Sequence, residues 1–407
     1  MKFKFSHADN DVWMKKDMRP DGTIYYSYIM VYTDDIMIVS HNPKRYMDQL
    51  EASYYVKKES IKFPDIYLGS RVKKVHDRSG RPAYATSSND YVREAVKIIE
   101  GRMKDLKLAY TKSAKSPSSP FSNTKYKPEL DTTRLCSTEE HQLFYQAIGI
   151  LRWMIEIGRI DITVEVSLLS RYLAQPRIGH LIQVLHIFSF LKSNECMDLC
   201  YDPTRLIITE PTILPQERAA YRATIMRTMY PDAIEDIPRN MPPSLGKKVQ
   251  INAFVDADNA GELTTRRSQT GILIFLMMAP IIWYSKRQNT VEASTYGSEF
   301  VAMRTLVEIL IGLRYKLRMF GIPLDGPCNV FCDNDAVAKT TMRAETTLKK
   351  KNLSIAYHKS REAVACGIMF VFYERSGSNL SDLFTKVLAS LDRKRIMSYI
   401  CGKQQRD

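Results

Sequence analysis

The chain has 407 residues, 44% of them hydrophobic, with 59 Lys and Arg against 45 Asp and Glu and a formal net charge of +14. That hydrophobic content excludes a disordered chain, and the length allows two or three domains of about 100–200 residues. The charge points to polyanionic partners, nucleic acid being the most frequent, although an anionic membrane surface would be served equally well.

The N-terminus, "MKFKFSHADND", has no apolar h-region, so no secretory signal is expected. The best apolar run, "GILIFLMMAPIIW" at 271–283, is too short for a bilayer and carries Pro280. The seven cysteines are odd in number and contain no CxxC pair, which indicates neither a disulfide framework nor a zinc ribbon. A reduced, intracellular, cytoplasmic protein without a membrane span is expected.

Residues 1–110 alternate short strands and helices in an α+β pattern. Strands around 23–40 form a hairpin, a helix follows near "PKRYMDQLEASYY", then strands near "DIYLGSRVKKV" and "AYATSS" and a helix over "YVREAVKIIEGRMK". The hairpin contains "VYTDDIMIVS", in which Asp34 and Asp35 separate two apolar runs. On these residues alone the pair reads either as a turn, Asp being a common turn residue, or as a metal site.

Residues 111–137 are rich in Ser, Pro and Lys and read as a linker. Three helical patterns at 138–201 suggest a small helical subdomain. Residues 202–247 carry seven prolines without sustained periodicity and read as a second connection. From 248 to 390 the order is three strands, a long helix from about 292 to 319, a strand, helices, a strand and a helix, which makes a mixed sheet flanked by helices; 391–407 reads as a tail.

Within that last unit four acids fall where side chains can converge. Asp256 ends the first strand, Glu299 lies in the first turns of the long helix, Asp333 ends the fourth strand, and Asp382 opens the last helix in "SNLSDLFTK". Such a cluster needs cations, and two Mg²⁺ ions would relieve its repulsion. Paired metals of this kind activate water and stabilise a leaving oxygen in phosphodiester cleavage. Each acid taken singly also reads as an ordinary strand-end or helix-start residue.

The segments "FVDADNAGELTTRRSQTGILIFL", "IIWYSKRQNTVEASTYGSEFVAMRTLVE", "FCDNDAVAK", "YHKSREAV" and "SDLFTKVL" resemble, in order and spacing, the ribonuclease H domain of copia-type LTR retrotransposon Pol polyproteins. Upstream, "VYTDDIMIVS", "YLGSRV", "FYQAIGILRWMIEIGRIDITVEVSLLSRYLAQPR" and "HIFSFLK" resemble the palm end and the thumb-to-connection region of that family's reverse transcriptase. The resemblance implies a partial reverse transcriptase palm at 1–110, a helical thumb/connection at 138–201, and a ribonuclease H-like fold with a mixed five-stranded sheet at 248–390. It matches Asp256, Glu299, Asp333 and Asp382 to the metal-binding carboxylates of ribonuclease H, Glu299 in preference to Glu292 or Glu308. It likewise matches Asp34 and Asp35 to the acidic pair of the polymerase, and Tyr32 to the tyrosine beside the primer terminus.

The implied activity is two-metal hydrolysis of the RNA strand of RNA/DNA hybrids, with Mg²⁺ as cofactor and Mn²⁺ as a substitute, in the cytoplasm or a virus-like particle. A palm polymerase needs a third carboxylate and nucleotide-binding fingers, and the residues before Asp34 offer only Asp9, Asp11, Asp17 and Asp21 in a polar stretch. Polymerase activity is therefore expected to be lost through N-terminal truncation. "YERSGSNLSD" also lacks the histidine found before the final Asp in many cellular ribonucleases H, leaving His358 as an auxiliary candidate. Arg266, Arg267, Lys286, Arg287, Lys349, Lys350, Lys351, Lys359 and Arg361 are candidate phosphate contacts, each with the alternative of a solvated face. The rival reading is a catalytically silent retroelement remnant that binds nucleic acid.

Overall fold

The computed structural model describes residues 1–106, 117–206, 216–348 and 350–401. Its first sheet is antiparallel, in the order β1 (Lys4–Ser6), β2 (Asp9–Met18), β3 (Ile24–Tyr32), β4 (Asp35–Val39). The hairpin expected at 23–40 is β3–β4. The polar stretch before it is a strand as well, and β2 pairs with β3 from Val12↔Met30 to Met18↔Ile24. Its polarity is absorbed locally: Asp17 accepts hydrogen bonds from Ser27 Oγ (3.0 Å) and from Tyr46 Oη (2.5 Å) on α1 (Pro43–Glu51).

A second antiparallel sheet joins β5 (Ile66–Tyr67), β6 (Ser70–His76), β7 (Pro82–Ser87) and β8 (Asp198–Tyr201). Because β8 lies beyond the Ser/Pro-rich stretch, chain from both sides of that stretch shares one sheet. Between β7 and β8 come α2 (Asn89–Asp105), α3 (Thr138–Glu156), α4 (Thr163–Leu169) and α5 (Ile178–Ser193). They bury Val92, Ile99, Leu143, Leu151 and Val184 in a core of their own. The helix α3 starts on a capping box in which Ser137 Oγ accepts from Glu140 N and the Glu140 carboxylate accepts from Ser137 N, stabilising that end by about 1 kcal/mol.

The stretch 202–247, expected to be a connection, contains α6 (Gln216–Met229). Ala219 and Met226 are fully buried in the main core, with Ala223 packed against it. Their i, i+4, i+7 spacing is helical, but two of the three are alanines, which give a weak hydrophobic signal.

The third sheet is mixed and five-stranded. Its strands are β9 (Ile251–Asp258), β10 (Gln269–Leu276), β11 (Ala279–Arg287), β12 (Cys328–Cys332) and β13 (Met369–Tyr373), in the order β11-β10-β9-β12-β13. The first three pair antiparallel, while β9, β12 and β13 run parallel. Flanking it are α7 (Thr295–Met319), α8 (Asp335–Met342), α9 (Ser354–Ala365) and α10 (Ser390–Cys401). Burial of both faces explains the continuous apolar runs in β9 and β10. The region expected to be a C-terminal tail holds α10, which buries Arg393, Ile396 and Ile400; its last residues, 402–407, lie outside the described residues.

The first sheet docks on the C-terminal end of α7. Tyr28 Oη donates to Phe320 O (2.6 Å) and Ser6 Oγ to Met319 O (3.3 Å), so carbonyls left over at the helix end find partners, while Tyr26 Oη donates to Pro243 O (2.9 Å) in the chain before the third sheet. Gly321 turns the chain there at φ +69, and a Cβ on it would stand 2.3 Å from the Tyr26 ring. Among the described residues no helix is long and apolar enough to cross a membrane.

Candidate metal centre

The parallel register of β9 and β12, with Cys332 opposite Val255, sends Asp256 and Asp333 off adjacent strands at one edge of the sheet. Glu299 reaches the same edge from the start of α7, whose N-cap Ser294 Oγ accepts from Gly297 N (3.3 Å). One ligand oxygen from each of Asp256, Glu299 and Asp333 lies within 4.8 Å of the others. Asp256 is 1% and Glu299 5% exposed. Burial, and after it repulsion from Asp256 and Asp333, pushes the Glu299 carboxyl well above the ordinary range. Burial and Asp256 raise Asp333 in the same way.

Asp382 does not open the last helix. It lies in a 3₁₀ segment, Leu380–Phe384, before α10. Asn379 fixes that segment to the sheet, its Nδ2 donating to Val255 O (3.0 Å) while its Oδ1 accepts from Ser381 N. Gly271, the cross-strand partner of Asp256, makes the approach possible, because a Cβ there would meet Ser381 O at 2.8 Å and Thr385 Cγ2 at 2.6 Å. Thr385 Oγ1 then donates to Asp256 Oδ2, and Lys386 Nζ stands 2.6 Å from Asp382 Oδ1 and 3.2 Å from Asp256 Oδ2. Burial, then repulsion from Asp256, pushes Asp382 up to about 7.

The donor set fits a divalent cation. Three carboxylates converge with oxygen ligands only, Glu299 Oε2 is buried without a hydrogen-bond partner among the described residues, and a lysine ammonium already sits against two of the acids. Lys386, Thr385 and Gly271 were not singled out in the sequence. The i, i+4 spacing of Asp382 and Lys386 was visible, but their shared contact with Asp256 depends on a strand distant in sequence.

The other sequence candidates lie elsewhere. Asp34 and Asp35 are exposed at the β3–β4 turn, where Tyr32 pairs with Asp35 and Thr33 takes φ +52. Tyr32 is 54% exposed. Among the described residues no third carboxylate joins the Asp34–Asp35 pair in a metal-sized cluster. His358, on α9, hydrogen-bonds through Nδ1 with Tyr230 Oη (2.9 Å).

The basic candidates divide by environment. Arg361 is a correction: it is fully buried, donating to the carbonyls of Thr340, Arg343 and Ala344, so it is a structural cation and not a phosphate contact. Arg287 is ion-paired with Glu262 (2.6 Å), and Lys350 Nζ is 2.6 Å from Ser294 Oγ. Arg266, Lys286 and Lys351 are exposed, Arg267 and Lys359 half-buried. Lys349 lies outside the described residues.

No family model matches the chain. The Pol polyprotein from transposon RE1 of Arabidopsis thaliana is 23% identical over 367 residues, covering 89% of this chain and 21% of that protein. The Pol polyprotein from transposon TNT 1-94 of Nicotiana tabacum is 23% identical over 245 residues, 60% of this chain and 15% of that protein. Both are described as retrovirus-related. A transposon Ty5-1 protein of Saccharomyces cerevisiae is 26% identical over 293 residues, 71% of this chain and 75% of that protein.

This chain is a relative of copia-type transposon Pol polyproteins. It spans 15% and 21% of the two plant Pol polyproteins, and the 89% of it aligned with RE1 means that the relationship is not confined to the five-stranded sheet. Among solved structures, the N-terminal RNase H domain of a Mycobacterium tuberculosis protein overlaps 37% of this chain and 96% of its own, at 9% identity and a TM-score of 0.28, too low to bear on the reading.

Proposed function

We propose that this transposon Pol relative carries a ribonuclease H-type endonuclease site that hydrolyses the RNA strand of RNA/DNA hybrids with two Mg²⁺ ions, Mn²⁺ substituting. The observation that carries the reading is the convergence of Asp256, Glu299 and Asp333 on one sheet edge, with Asp382 delivered beside Asp256. Asp256, central among the acids, would be shared between the two cations, with Glu299, Asp333 and Asp382 completing their shells. Bound there, the ions would activate a water for attack on phosphorus and stabilise the leaving oxygen.

The chain's own groups prepare that site. Thr385 Oγ1 orients the Asp256 carboxylate, and a side-chain hydrogen bond from Ser376 steadies Asp333. Exposed Arg266, Lys286 and Lys351 would draw in the phosphate backbone and release its counterions. We assign 1–110 to a partial reverse transcriptase palm, 138–201 to a thumb/connection and 248–390 to the ribonuclease H unit. The antiparallel sheet around the Asp34–Asp35 turn supports the first assignment, and the five-stranded mixed sheet supports the last. With Asp34 and Asp35 exposed and no third acid joining them in a metal-sized cluster among the described residues, this chain by itself is not assigned polymerase activity.

The test is cleavage of an end-labelled RNA/DNA hybrid by the purified chain in Mg²⁺, beside Asp256→Asn. Cleavage is expected from the parent and none above background from the variant, with EDTA abolishing cleavage by the parent. Hybrid held in a salt-dependent way but left uncut by the parent would favour the silent nucleic-acid-binding remnant.

A further inference from the structure

The acidic cluster already contains a cation, and it is a side chain. Lys386 Nζ lies 2.6 Å from Asp382 Oδ1 and 3.2 Å from Asp256 Oδ2, and its charge also acts on Asp258 and Asp333. Neighbouring residues hold it there. Asn379 ties its segment to β9, Gly271 lets that segment lie against β10, and Thr385, one residue before Lys386, hydrogen-bonds to Asp256. The three mutually close ligand oxygens belong to Asp256, Glu299 and Asp333, while Asp382 is engaged by the lysine.

An ammonium and a divalent ion placed on the same carboxylate oxygens repel each other and compete for the same negative charge. The Lys386 side chain remains 43% exposed, which gives its ammonium a route to solvent. A phosphodiester arriving at the site would offer its ammonium another anionic partner.

Resting on the metal-dependent reading above, we infer that Lys386 is a tethered cation that holds the Asp256–Asp382 edge of the cluster. The chain without nucleic acid then binds one divalent ion, at Asp256, Glu299 and Asp333. A second enters between Asp256 and Asp382 only when Lys386 moves away. Lys386 is thus a positioning residue that makes assembly of the second cation site depend on substrate.

The experiment counts ions on the full chain without nucleic acid, using Mn²⁺ electron paramagnetic resonance and Mg²⁺ titration calorimetry, for the parent, Lys386→Met and Lys386→Arg. One ion is expected for the parent and for Lys386→Arg, and two for Lys386→Met, whose first ion should bind about tenfold more tightly because a neighbouring positive charge is gone. In EDTA, Lys386→Met should melt below the parent and recover more on adding Mg²⁺, a crossed response that a merely structural lysine would not produce. Two ions on the parent, or the same count and affinity in all three proteins, would overturn the inference. No binding by any of them would instead remove the metal-dependent reading on which it rests. Lys386→Gln, closer to lysine in polarity, gives the same count should Lys386→Met fail to fold.

Discussion

Glu299 and Asp382 are acids held in places that disfavour their charge. Burial comes first in both cases and repulsion from neighbouring acids second, raising Glu299 well above the ordinary range and Asp382 to about 7. A carboxyl whose folded pKa exceeds its unfolded value binds more protons in the folded state, so its contribution to stability is present below the unfolded value, about 4, and is lost as pH rises through the folded value. For Asp382 that window runs from the ordinary carboxylate range to about 7. In EDTA the melting temperature should therefore carry a loss between about pH 4 and pH 7 that Mg²⁺ removes. The increment in melting temperature on adding Mg²⁺ is expected to grow steadily over that interval; an equal increment at its two ends would contradict this account.

At the scale of elements, the site depends on how closely the 3₁₀ segment 380–384 lies over β10. Gly271 decides that distance, since the missing Cβ leaves room for Ser381 O and Thr385. Gly271→Ala is expected to destabilise the protein by roughly 1–3 kcal/mol, as overpacking does, and to push Thr385 and Lys386 away from Asp256. Its signature is a first divalent ion bound more tightly, because Lys386 is withdrawn from Asp256, a gain that an equal melting-temperature drop at an overpacked position away from the sheet edge does not produce. Unchanged Mg²⁺ affinity in a destabilised Gly271→Ala would separate the glycine from the site. The same segment explains a sequence misreading: "SNLSDLFTK" has the composition of a helix start, but Asn379 caps only a short 3₁₀ turn, and the α-helix begins at Ser390.

For the whole molecule, the helical region and the five-stranded sheet are joined by buried polar bonds. Glu165 on α4 is fully buried and paired with Arg393 on α10, and Trp283 Nε1 on β11 donates to Ile155 O (3.1 Å) after α3 has nearly ended. Removing one partner of a buried ion pair strands the other, a cost of roughly 3–5 kcal/mol. Arg393→Met should lower the unfolding midpoint of the helical region and the sheet together. Trp153 and Trp283 fluorescence and far-ultraviolet circular dichroism are expected to report one coincident transition; a shift confined to one probe would mean that the two regions unfold independently. The unit 248–390 on its own would lack α6, β8 and α10 and expose the apolar residues that pack on them.

The sequence by itself determined the local elements: alternating or continuous apolar runs place β9 through β13, and helical periodicity places α3, α5 and α7, because these patterns depend on residues close along the chain. It also put Asp256, Asp333 and Glu299 at strand ends and a helix start, which is why three acids that the structure brings together were legible as candidates. Polar β2 was not legible, since Asp17 is made acceptable inside a sheet by Ser27 and Tyr46, from other elements. Nor was the burial of Arg361, because its partners are backbone carbonyls that carry no sequence signal. Only the tertiary structure decided that Lys386 stands between Asp256 and Asp382: the contact requires a glycine in one strand, a carboxylate in the next and a 3₁₀ turn far along the chain to meet at one point, and no local pattern encodes that meeting.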